Sequence, residues 1–174
     1  MMGRRKTFRE KLADDKDFPR VEKISPGMAK QWGQGTIVIA AAREIDTIMR
    51  SVPKGTLITI NQIREIVARR HGATIGCPIT TGIHARIVAG AAGEDEAEGK
   101  KRVTPYWRTL KVGGELNEKY PGGLLGQRTR LQAEGHEIVH RGTRMFVRDY
   151  ERSLVKIDRM VPSPERHQRQ RPAR

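Results

Sequence analysis

The sequence is poor in cysteine and in aromatic residues. Cys77 is the single cysteine among 174 residues, which excludes an intramolecular disulfide and a metal site built from several thiolates. Aromatic residues form only 5% of the chain, with two tryptophans and three tyrosines. Tyr106 and Trp107 are nevertheless adjacent, within TPYWRTLKVGGELNEKYPGG at 104–123, and no local folding rule requires that pair.

Long apolar runs are also missing. The longest, TIVIAAA at 36–42, is far too short to span a bilayer. The opening MMGRRKTFRE has positive charge but lacks the apolar region of a signal peptide. The sequence therefore predicts a cytoplasmic, nucleoid-associated protein with no membrane partner.

Acidic residues are too few to balance the basic ones. Lys and Arg number 34 against 20 Asp and Glu, which gives a formal charge of +14 and a pI near 10.6. The basic excess occurs at both ends of the chain and in its middle. Such a field attracts polyanions, so the composition favours a nucleic-acid partner over a merely soluble basic protein.

The central part of the chain has the periodicity of helices. Apolar residues at i, i+3 and i+4 predict an amphipathic helix over 41–52, ended by Pro53. A second helix should start near Thr59 or Asn61 and end at Gly72. A third follows within CPITTGIHARIVAGAA, with its larger apolar residues, Ile79, Ile83 and Ile87, along one face. Two short helices joined by a tight turn are typical of a helix-turn-helix.

The other face of that third helix is the candidate DNA-binding surface. Small residues there would let the backbone approach a groove, and polar neighbours could reach phosphates or base edges. The predicted contacts are Thr80, Thr81, His84, Ala85 and Arg86, with Val88 and Ala89 further along the same face. The alternative is a helix packed tightly against a neighbour through the same small residues.

The remaining segments complete a mostly α fold with a small β component. A short charged helix from Phe8, a capped turn at Ser25-Pro26 and a strand at 36–40 form an N-terminal extension, residues 1–40. A helix over 124–135 and a hairpin around Arg141-Gly142 complete a winged helix-turn-helix domain, residues 41–150. Residues 151–174 form a basic tail, disordered from about 162. We expect a monomer.

The segment 104–135 resembles the active-site segment of the alkylguanine-DNA alkyltransferases. That family has Pro-Cys-His-Arg, a turn, a Tyr-x-Gly-Gly loop and a helix closing with Glu-Gly. Pro105 and Arg108 hold the ends of the first motif, and Glu134-Gly135 match the helix end. Tyr120, Gly122 and Gly123 match the loop, and the spacing fits without a gap. The resemblance covers about residues 45 to 140 and implies the winged helix-turn-helix of that family's C-terminal domain.

The two reactive positions of the family are replaced. Its cysteine corresponds to Tyr106 and its histidine to Trp107, whereas alkyl transfer requires a nucleophilic, low-pKa thiolate. Glu134 has thereby lost its relay partner and should hold backbone or water. Cys77 lies on the wrong element and is expected to be a small, partly buried side chain. We therefore expect no enzymatic activity, no catalytic residue, no metal and no cofactor.

The chain is thus similar to the alkyltransferase-like proteins, which keep the fold but lack the cysteine. The resemblance implies binding of double-stranded DNA, recognition of a flipped alkylated guanine and recruitment of repair proteins. The implied base pocket comprises Pro105, Tyr106, Trp107, Arg108, Tyr120, Pro121, Gly122 and Gly123, with phosphate contacts from Arg64, Arg69, Arg70 and Arg128. The alternative is that Tyr106 and Trp107 became core filler once the cysteine was lost.

Two further departures weaken the lesion-recognition hypothesis. The family's intercalating arginine would fall near Gly82, with Arg86 one turn out of register, and its phosphate-rotating tyrosine is replaced by Ile60. These changes favour a second hypothesis, a sequence-reading or nucleoid-type DNA-binding regulator without lesion recognition. A true alkyltransferase, the third hypothesis, would require transfer to Cys77 or Tyr106.

Overall fold

A computed structural model describes residues 3–161 of the chain. The fold is rich in helix, as predicted. Its α-helices are α1 Phe8–Ala13, α2 Pro26–Trp32, α3 Ala42–Arg50, α4 Ile60–His71, α5 Thr80–Ala97 and α6 Gly123–Ala133. Its strands are β1 Arg20–Lys23, β2 Thr36–Ile39, β3 Ile58–Thr59, β4 Ile75–Gly76, β5 Thr109–Leu110, β6 Ile138–Arg141 and β7 Arg144–Val147. No helix in this part of the chain is long and apolar enough to cross a membrane.

The strands form three small sheets. In the first, β2 pairs with β1 antiparallel and with β4 parallel. Parallel pairing of β3 with β5 connects the start of α4 to the segment after Tyr106. The predicted hairpin forms from β6 and β7, with Ile138 opposite Val147 and Arg141 opposite Arg144. Met145 and Val147 are buried, as the hairpin prediction required.

The core lies where α3, α4 and α5 meet. The predicted stripe of α3 is confirmed, because Ile45, Ile48 and Met49 are completely buried. Burying one such side chain contributes about 1.5–3 kcal/mol, so this stripe determines how α3 packs. The same cluster takes apolar residues from α4 and α5: Ile63, Ile66, Val67, Ala85, Val88 and Ala89.

Local hydrogen bonds and glycines determine where α4 begins and ends and how the turn to α5 packs. Thr59 caps α4 by accepting a hydrogen bond from the Gln62 backbone, and the Gln62 side chain accepts one from the Thr59 backbone. Gly72 ends α4 in the left-handed conformation. Gly76 lies so close to α4 that a Cβ would sit 2.5 Å from the Arg64 carbonyl oxygen. A side chain at residue 76 would therefore push the turn away from α4.

The N-terminal segment packs on α5. The Phe8 and Arg9 backbone N–H groups donate to the Glu94 carboxylate over 2.8 and 3.0 Å. Gly90 leaves room for the Phe8 ring, since a Cβ at residue 90 would lie 2.3 Å from that ring. The acidic residues Glu94, Asp95 and Glu96 extend α5 to Ala97, and Glu98 directly after the helix pairs with Arg9. The predicted extension, residues 1–40, contacts the predicted domain 41–150 directly.

The C-terminal segment also contacts the domain. The Leu57 backbone N–H donates to the Ser153 carbonyl oxygen and the Val155 N–H donates to the Leu57 carbonyl oxygen, both over 2.9 Å. Gln62 of α4 donates its amide to the Val155 carbonyl oxygen. The start of the predicted tail is therefore part of the fold up to residue 161. The predicted disorder from about 162 lies outside the described residues.

Candidate nucleic-acid interface

Helix α5 presents the opposite face from the one predicted. Ile79, directly before α5, is 67% exposed and Ile83 is 53% exposed, whereas Thr81 and Ala85 are buried at 4% and 0%. The predicted outward orientation of Thr81, His84 and Ala85 is therefore wrong. Small side chains let α5 pack closely against α3, and that gain in packing determines its orientation.

His84 is a core residue rather than a groove residue. Its Nδ1 lies 2.9 Å from the Ala40 carbonyl oxygen and must carry the proton that it donates. The Phe18 ring stands edge-on to the imidazole, with 5.3 Å between ring centroids. Burial lowers the pKa of His84, and the bond to Ala40 opposes that shift without cancelling it. His84 therefore joins α5 to the end of β2 as a neutral side chain.

The start of α5 is closed by its own hydrogen bonds. The Thr81 hydroxyl donates to the Cys77 carbonyl oxygen over 2.7 Å, and the Cys77 thiol lies 3.2 Å from the Thr80 hydroxyl. Cys77 is 7% exposed, so it is more deeply buried than the small, partly buried side chain that we expected. Of the five predicted helix contacts, only Arg86 is exposed, while Thr80 is half-buried.

The exposed face of α5 borders a shallow groove of about 330 Å³, which we call the α5 groove. One wall is Ile79, Ile83 and Arg86. The other wall comes from the segment after β5, through Lys111, Asn117, Glu118 and Lys119. Gly82 lies between the isoleucines, and a Cβ added there would meet nothing within 4 Å. Ile60 of α4, at the position aligned with the family's tyrosine, also lines the groove. The groove thus combines aliphatic and basic side chains on an open surface.

The cations of the α5 groove differ in their partners. Arg86 and Lys119 form no ion pair with any residue from 3 to 161. Lys111 lies 3.0 Å from a Glu118 oxygen and 3.4 Å from a Glu115 oxygen. Two positive charges therefore remain available to an anionic ligand, one on each wall.

The predicted base pocket is assembled but closed. The Tyr106 ring stands edge-on to the rings of Trp107 and Tyr120, with centroid distances of 5.4 and 5.8 Å. Tyr106 is 2% exposed and Tyr120 is 3% exposed, so neither ring offers a face to a base. The expectation of an aromatic pocket open to a base is therefore wrong for these two rings. Burial of the Tyr106 ring agrees with the core-filler alternative for that residue, whereas Trp107, the other residue of that alternative, is only half-buried.

Trp107 remains half-buried, and a cation covers its ring. The Arg130 guanidinium lies 4.3 Å from the Trp107 ring centroid and 5.5 Å from that of Tyr106. Arg130 also pairs with Glu96 of α5 over 2.7 Å. No sequence pattern had singled out Arg130, because a single arginine on a basic helix resembles any solvated one.

Glu134 has a new set of partners in place of the relay histidine. Its carboxylate forms a buried ion pair with Arg108 and accepts from the Trp107 indole N–H over 3.0 Å. It also accepts from the Gly55 backbone N–H over 3.3 Å, which confirms the expected backbone contact. Arg108 in turn donates to the Val52 carbonyl oxygen over 2.7 Å. Burial opposes the charge on Glu134, but hydrogen bonds from Arg108, Trp107 and Gly55 outweigh it and lower the pKa of Glu134.

The phenol groups of the cluster stay neutral. Burial raises the pKa of both Tyr106 and Tyr120. The Tyr106 hydroxyl lies 3.5 Å from the Pro121 carbonyl oxygen. A buried, neutral phenol is a poor nucleophile at neutral pH.

The loop after Tyr120 requires a glycine at residue 122 because of its backbone conformation, and its proline packs against α5. Gly122 has a left-handed backbone directly before α6, and the Gly123 N–H donates to the Tyr120 carbonyl oxygen over 2.9 Å. Pro121 packs against α5, where a Cβ at Gly93 would lie 2.7 Å from its ring. Pro105 is buried ahead of the short 3-10 helix that carries Tyr106.

Gln127 is a structural residue that sequence reasoning missed. It is completely buried on α6, where its amide oxygen accepts from the Asn117 N–H over 2.7 Å. Its amide nitrogen donates to the Trp107 and Thr109 carbonyl oxygens over 3.1 and 3.3 Å. A polar residue between Leu124 and Leu131 on one helical stripe was the available signal.

The predicted phosphate contacts on α4 are engaged within the protein. Arg64 lies over the Trp32 ring at 4.6 Å and donates to the Gly76 carbonyl oxygen. Arg69 pairs with Asp158, and Arg70 donates to the Met160 carbonyl oxygen. These three side chains stabilise the turn and the C-terminal segment, which corrects their placement as free contacts. Arg128 is half-buried, and its Nε has no partner among residues 3–161.

Comparisons with known proteins leave the family open. No protein-family model matches the sequence, and no curated protein matches it. A crystal structure of S. pombe Atl1 in complex with damaged DNA containing O6-carboxymethylguanine is similar to this chain, with a TM-score of 0.47 and 17% sequence identity. The similarity covers 66% of this chain and 94% of that chain.

Proposed function

We propose that this protein binds double-stranded DNA through the α5 groove and does not change it chemically. The observation that supports this most is the juxtaposition of exposed aliphatic and unpaired basic side chains along α5. Ile79, Ile83 and Arg86 share the exposed face, and Lys119 stands across the groove. Phosphates pair with the cations, while apolar contacts fit base edges and sugars.

The charge of the whole chain supports duplex DNA as the ligand. A formal charge of +14 concentrates polyanions around the protein. Many surface cations are used internally, as on α4, whereas Arg86 and Lys119 remain available beside the apolar face. A helix presented on an open surface also has the dimensions to enter a DNA groove.

We propose that the protein does not modify DNA, because its candidate nucleophiles are buried and lack an activating base. Tyr106 is buried and neutral, and its neighbour Trp107 donates its indole N–H to Glu134 instead of activating a nucleophile. Cys77 is buried at the start of α5, on a different element from the aromatic cluster. Neither residue combines exposure with an activating base.

Recognition of a modified base, with a role in DNA repair, is a second candidate. It is favoured by the arrangement of Trp107, whose ring is covered by Arg130 and not by an apolar neighbour alone. A base that displaced the guanidinium could stack on the indole for about 1–3 kcal/mol. This function would require Arg130 to leave Trp107 and Glu96.

The test is fluorescence anisotropy with matched duplexes, with and without O6-alkylguanine, over a range of salt concentrations. We expect binding to both, with log affinity falling steeply against log salt concentration. Arg86→Ala and Lys119→Ala should each weaken binding. The matched control is Lys30→Ala, which removes one exposed charge from α2, outside the groove.

Four outcomes are decisive. Absence of duplex binding, or equal losses for Lys30→Ala and Arg86→Ala, would contradict the proposed groove. Tighter binding to the alkylated duplex, lost in Trp107→Ala, would establish the second candidate. A stable mass gain on the protein after incubation with alkylated DNA would overturn the non-enzymatic assignment.

A further inference from the structure

We propose that the cavity between the C-terminal segment and the ends of α3 and α4 binds a nucleoside monophosphate. This cavity, which we call the C-terminal cavity, has a volume of about 560 Å³, and its lining includes Pro53, Arg70, Leu154, Lys156, Arg159 and Met160. It shares no lining residue with the α5 groove. The inference therefore goes beyond the proposed DNA binding and does not depend on it.

The charged side chains that line the C-terminal cavity are all cations, namely Arg70, Lys156 and Arg159. Lys156 and Arg159 form no ion pair with any residue from 3 to 161. Asp158, which lies between them in the sequence, pairs with Arg69 over 2.8 Å and does not line the cavity. The cavity thus concentrates positive charge, and an anionic ligand would neutralise it.

A second cavity of similar size has a different charge pattern. The cavity beside the β6–β7 hairpin has a volume of about 610 Å³. Its two arginines, Arg141 and Arg148, are accompanied by the carboxylates of Asp149 and Glu151. A surplus of cations is therefore not a general property of concave surfaces on this basic protein, and it distinguishes the C-terminal cavity.

Apolar side chains form a further part of the wall. Pro53, Leu154 and Met160 line the cavity, and the last two are half-buried. A flat ring packed on them would remove apolar surface from water, at about 25 cal/mol per Å². Small-molecule sites usually have volumes of about 300–1,000 Å³ and combine apolar walls with a few polar groups. A nucleoside monophosphate supplies both the ring and the phosphate, and arginine binds phosphate through paired hydrogen bonds.

Hydrogen bonds hold the two sides of the cavity together. The Val155 backbone N–H donates to the Leu57 carbonyl oxygen over 2.9 Å. Arg70 donates to the Met160 carbonyl oxygen over 2.9 Å, and its other terminal nitrogen lies 3.7 Å from a Glu44 oxygen. The walls are therefore in place before a ligand arrives, which lowers the ordering cost of binding.

The experiment is isothermal titration calorimetry of the full chain with adenosine 5′-monophosphate (AMP), supported by thermal denaturation. AMP at about 100 times its measured dissociation constant should raise the melting temperature by roughly 5–10 °C. Adenosine lacks the phosphate and ribose 5-phosphate lacks the ring. Each should bind at least about ten-fold more weakly than AMP, because each contacts only one part of the cavity.

The Lys156→Ala/Arg159→Ala double variant should bind AMP at least about ten-fold more weakly than the wild type. The matched control is Arg141→Ala/Arg148→Ala, which removes the same charge from the hairpin cavity and should bind AMP like the wild type. Circular dichroism should show native helix content for both double variants, because the replaced side chains are exposed.

A nucleoside monophosphate also occurs at the 5′-phosphorylated end of a DNA strand, and competition distinguishes the two sources. A short deoxyadenosine strand that displaces AMP only when it carries a 5′-phosphate identifies the strand end as the ligand. Failure of both forms of the strand to displace AMP identifies the free nucleotide. Either result keeps the site.

Other outcomes overturn the site. These are absence of AMP binding, equal losses in the two double variants, or binding of adenosine or ribose 5-phosphate as tightly as AMP. A duplex with 5′-hydroxyl ends that displaces AMP, and that binds more weakly to Lys156→Ala/Arg159→Ala, assigns these cations to the DNA backbone and also overturns it.

Discussion

The aromatic cluster and the α5 groove are opposite in almost every physical respect. The cluster of Tyr106, Trp107 and Tyr120 contains rare residue types, and two of its three rings are buried. The groove contains common isoleucine, lysine and arginine side chains, and its aliphatic residues are exposed. Rarity in the sequence thus marked a packing site, while the exposed surface that we propose as the DNA-binding site consists of ordinary residues.

The two regions also differ in whether their charged side chains have partners within the protein. In the cluster, Glu134 satisfies Arg108, the Trp107 indole and the Gly55 backbone. In the groove, Arg86 and Lys119 have no ion-pair partner among residues 3–161. A site that is internally satisfied stabilises the fold, whereas unpaired cations on a surface favour binding of an anion.

The largest expected difference between the aromatic cluster and the α5 groove is in stability, when a side chain is removed from each. Tyr106→Ala leaves a cavity in the core and should lower the free energy of unfolding by about 3–5 kcal/mol. Ile83→Ala removes an exposed side chain and should change it by less than about 0.5 kcal/mol. Urea denaturation followed by circular dichroism measures both. Similar losses for the two variants would show that the cluster is not a packing site.

Breaking the buried ion pair should have the next largest effect. Glu134→Ala leaves Arg108 without its carboxylate and should cost about 3 kcal/mol of stability. Glu134→Gln keeps an acceptor for Trp107 and Gly55 and should lose less. Tryptophan fluorescence and urea denaturation report the two effects. An unchanged stability in Glu134→Ala would contradict the role assigned to this pair.

The Glu134–Arg108 ion pair should make the folding stability of the protein depend on pH. Because the pKa of Glu134 is lower in the folded than in the unfolded state, its contribution is complete above the unfolded pKa. It is lost as pH falls through the folded pKa. The melting temperature of the wild type should fall on acidification from pH 5, and that of Glu134→Gln should fall less. Parallel curves for the two proteins would contradict this assignment.

Neutralising a groove cation should affect binding and spare the fold. Arg86→Ala should weaken duplex binding by about 1 kcal/mol and reduce the slope of log affinity against log salt concentration by about 1. Its melting temperature should match that of the wild type. An unchanged salt slope would show that Arg86 does not reach a phosphate.

The smallest expected effect concerns the cation above Trp107. Arg130→Gln removes the cation–π contact and should cost about 0.5–1 kcal/mol of stability. Trp107 should then become more accessible to a neutral quencher such as acrylamide. The control is Arg152→Gln, an exposed arginine outside the cluster. Equal quenching in both variants would mean that Arg130 does not shield the ring.

The sequence predicted the elements better than their orientation. Period-3.6 stripes located α3 and α4, and the cap at Thr59 and the stop at Gly72 set the bounds of α4. For α5, both faces contain apolar residues, so periodicity fitted two orientations. Which face is buried depends on side-chain size relative to α3 and Phe8, and those partners are distant in sequence.

The members of the aromatic cluster could be predicted from the sequence, but the closed packing of their rings could not. The motif spacing brought Tyr106, Trp107 and Tyr120 together, as the structure confirms. Their closure depends on side-chain packing, and the cover on Trp107 comes from Arg130 and Glu96 on two different helices. Spacing within one segment contains no information about either.

The Phe8 ring occupies the space that Gly90 leaves on α5. This contact constrains how the two positions can change during evolution, although they are far apart in the sequence. A Cβ at residue 90 would lie only 2.3 Å from the Phe8 ring, so a larger residue at position 90 requires a smaller one at position 8. Among descendants of this sequence, a larger residue should therefore appear at position 90 only together with a smaller one at position 8. Substitutions in the N-terminal helix α1 and in α5 are therefore expected to depend on each other.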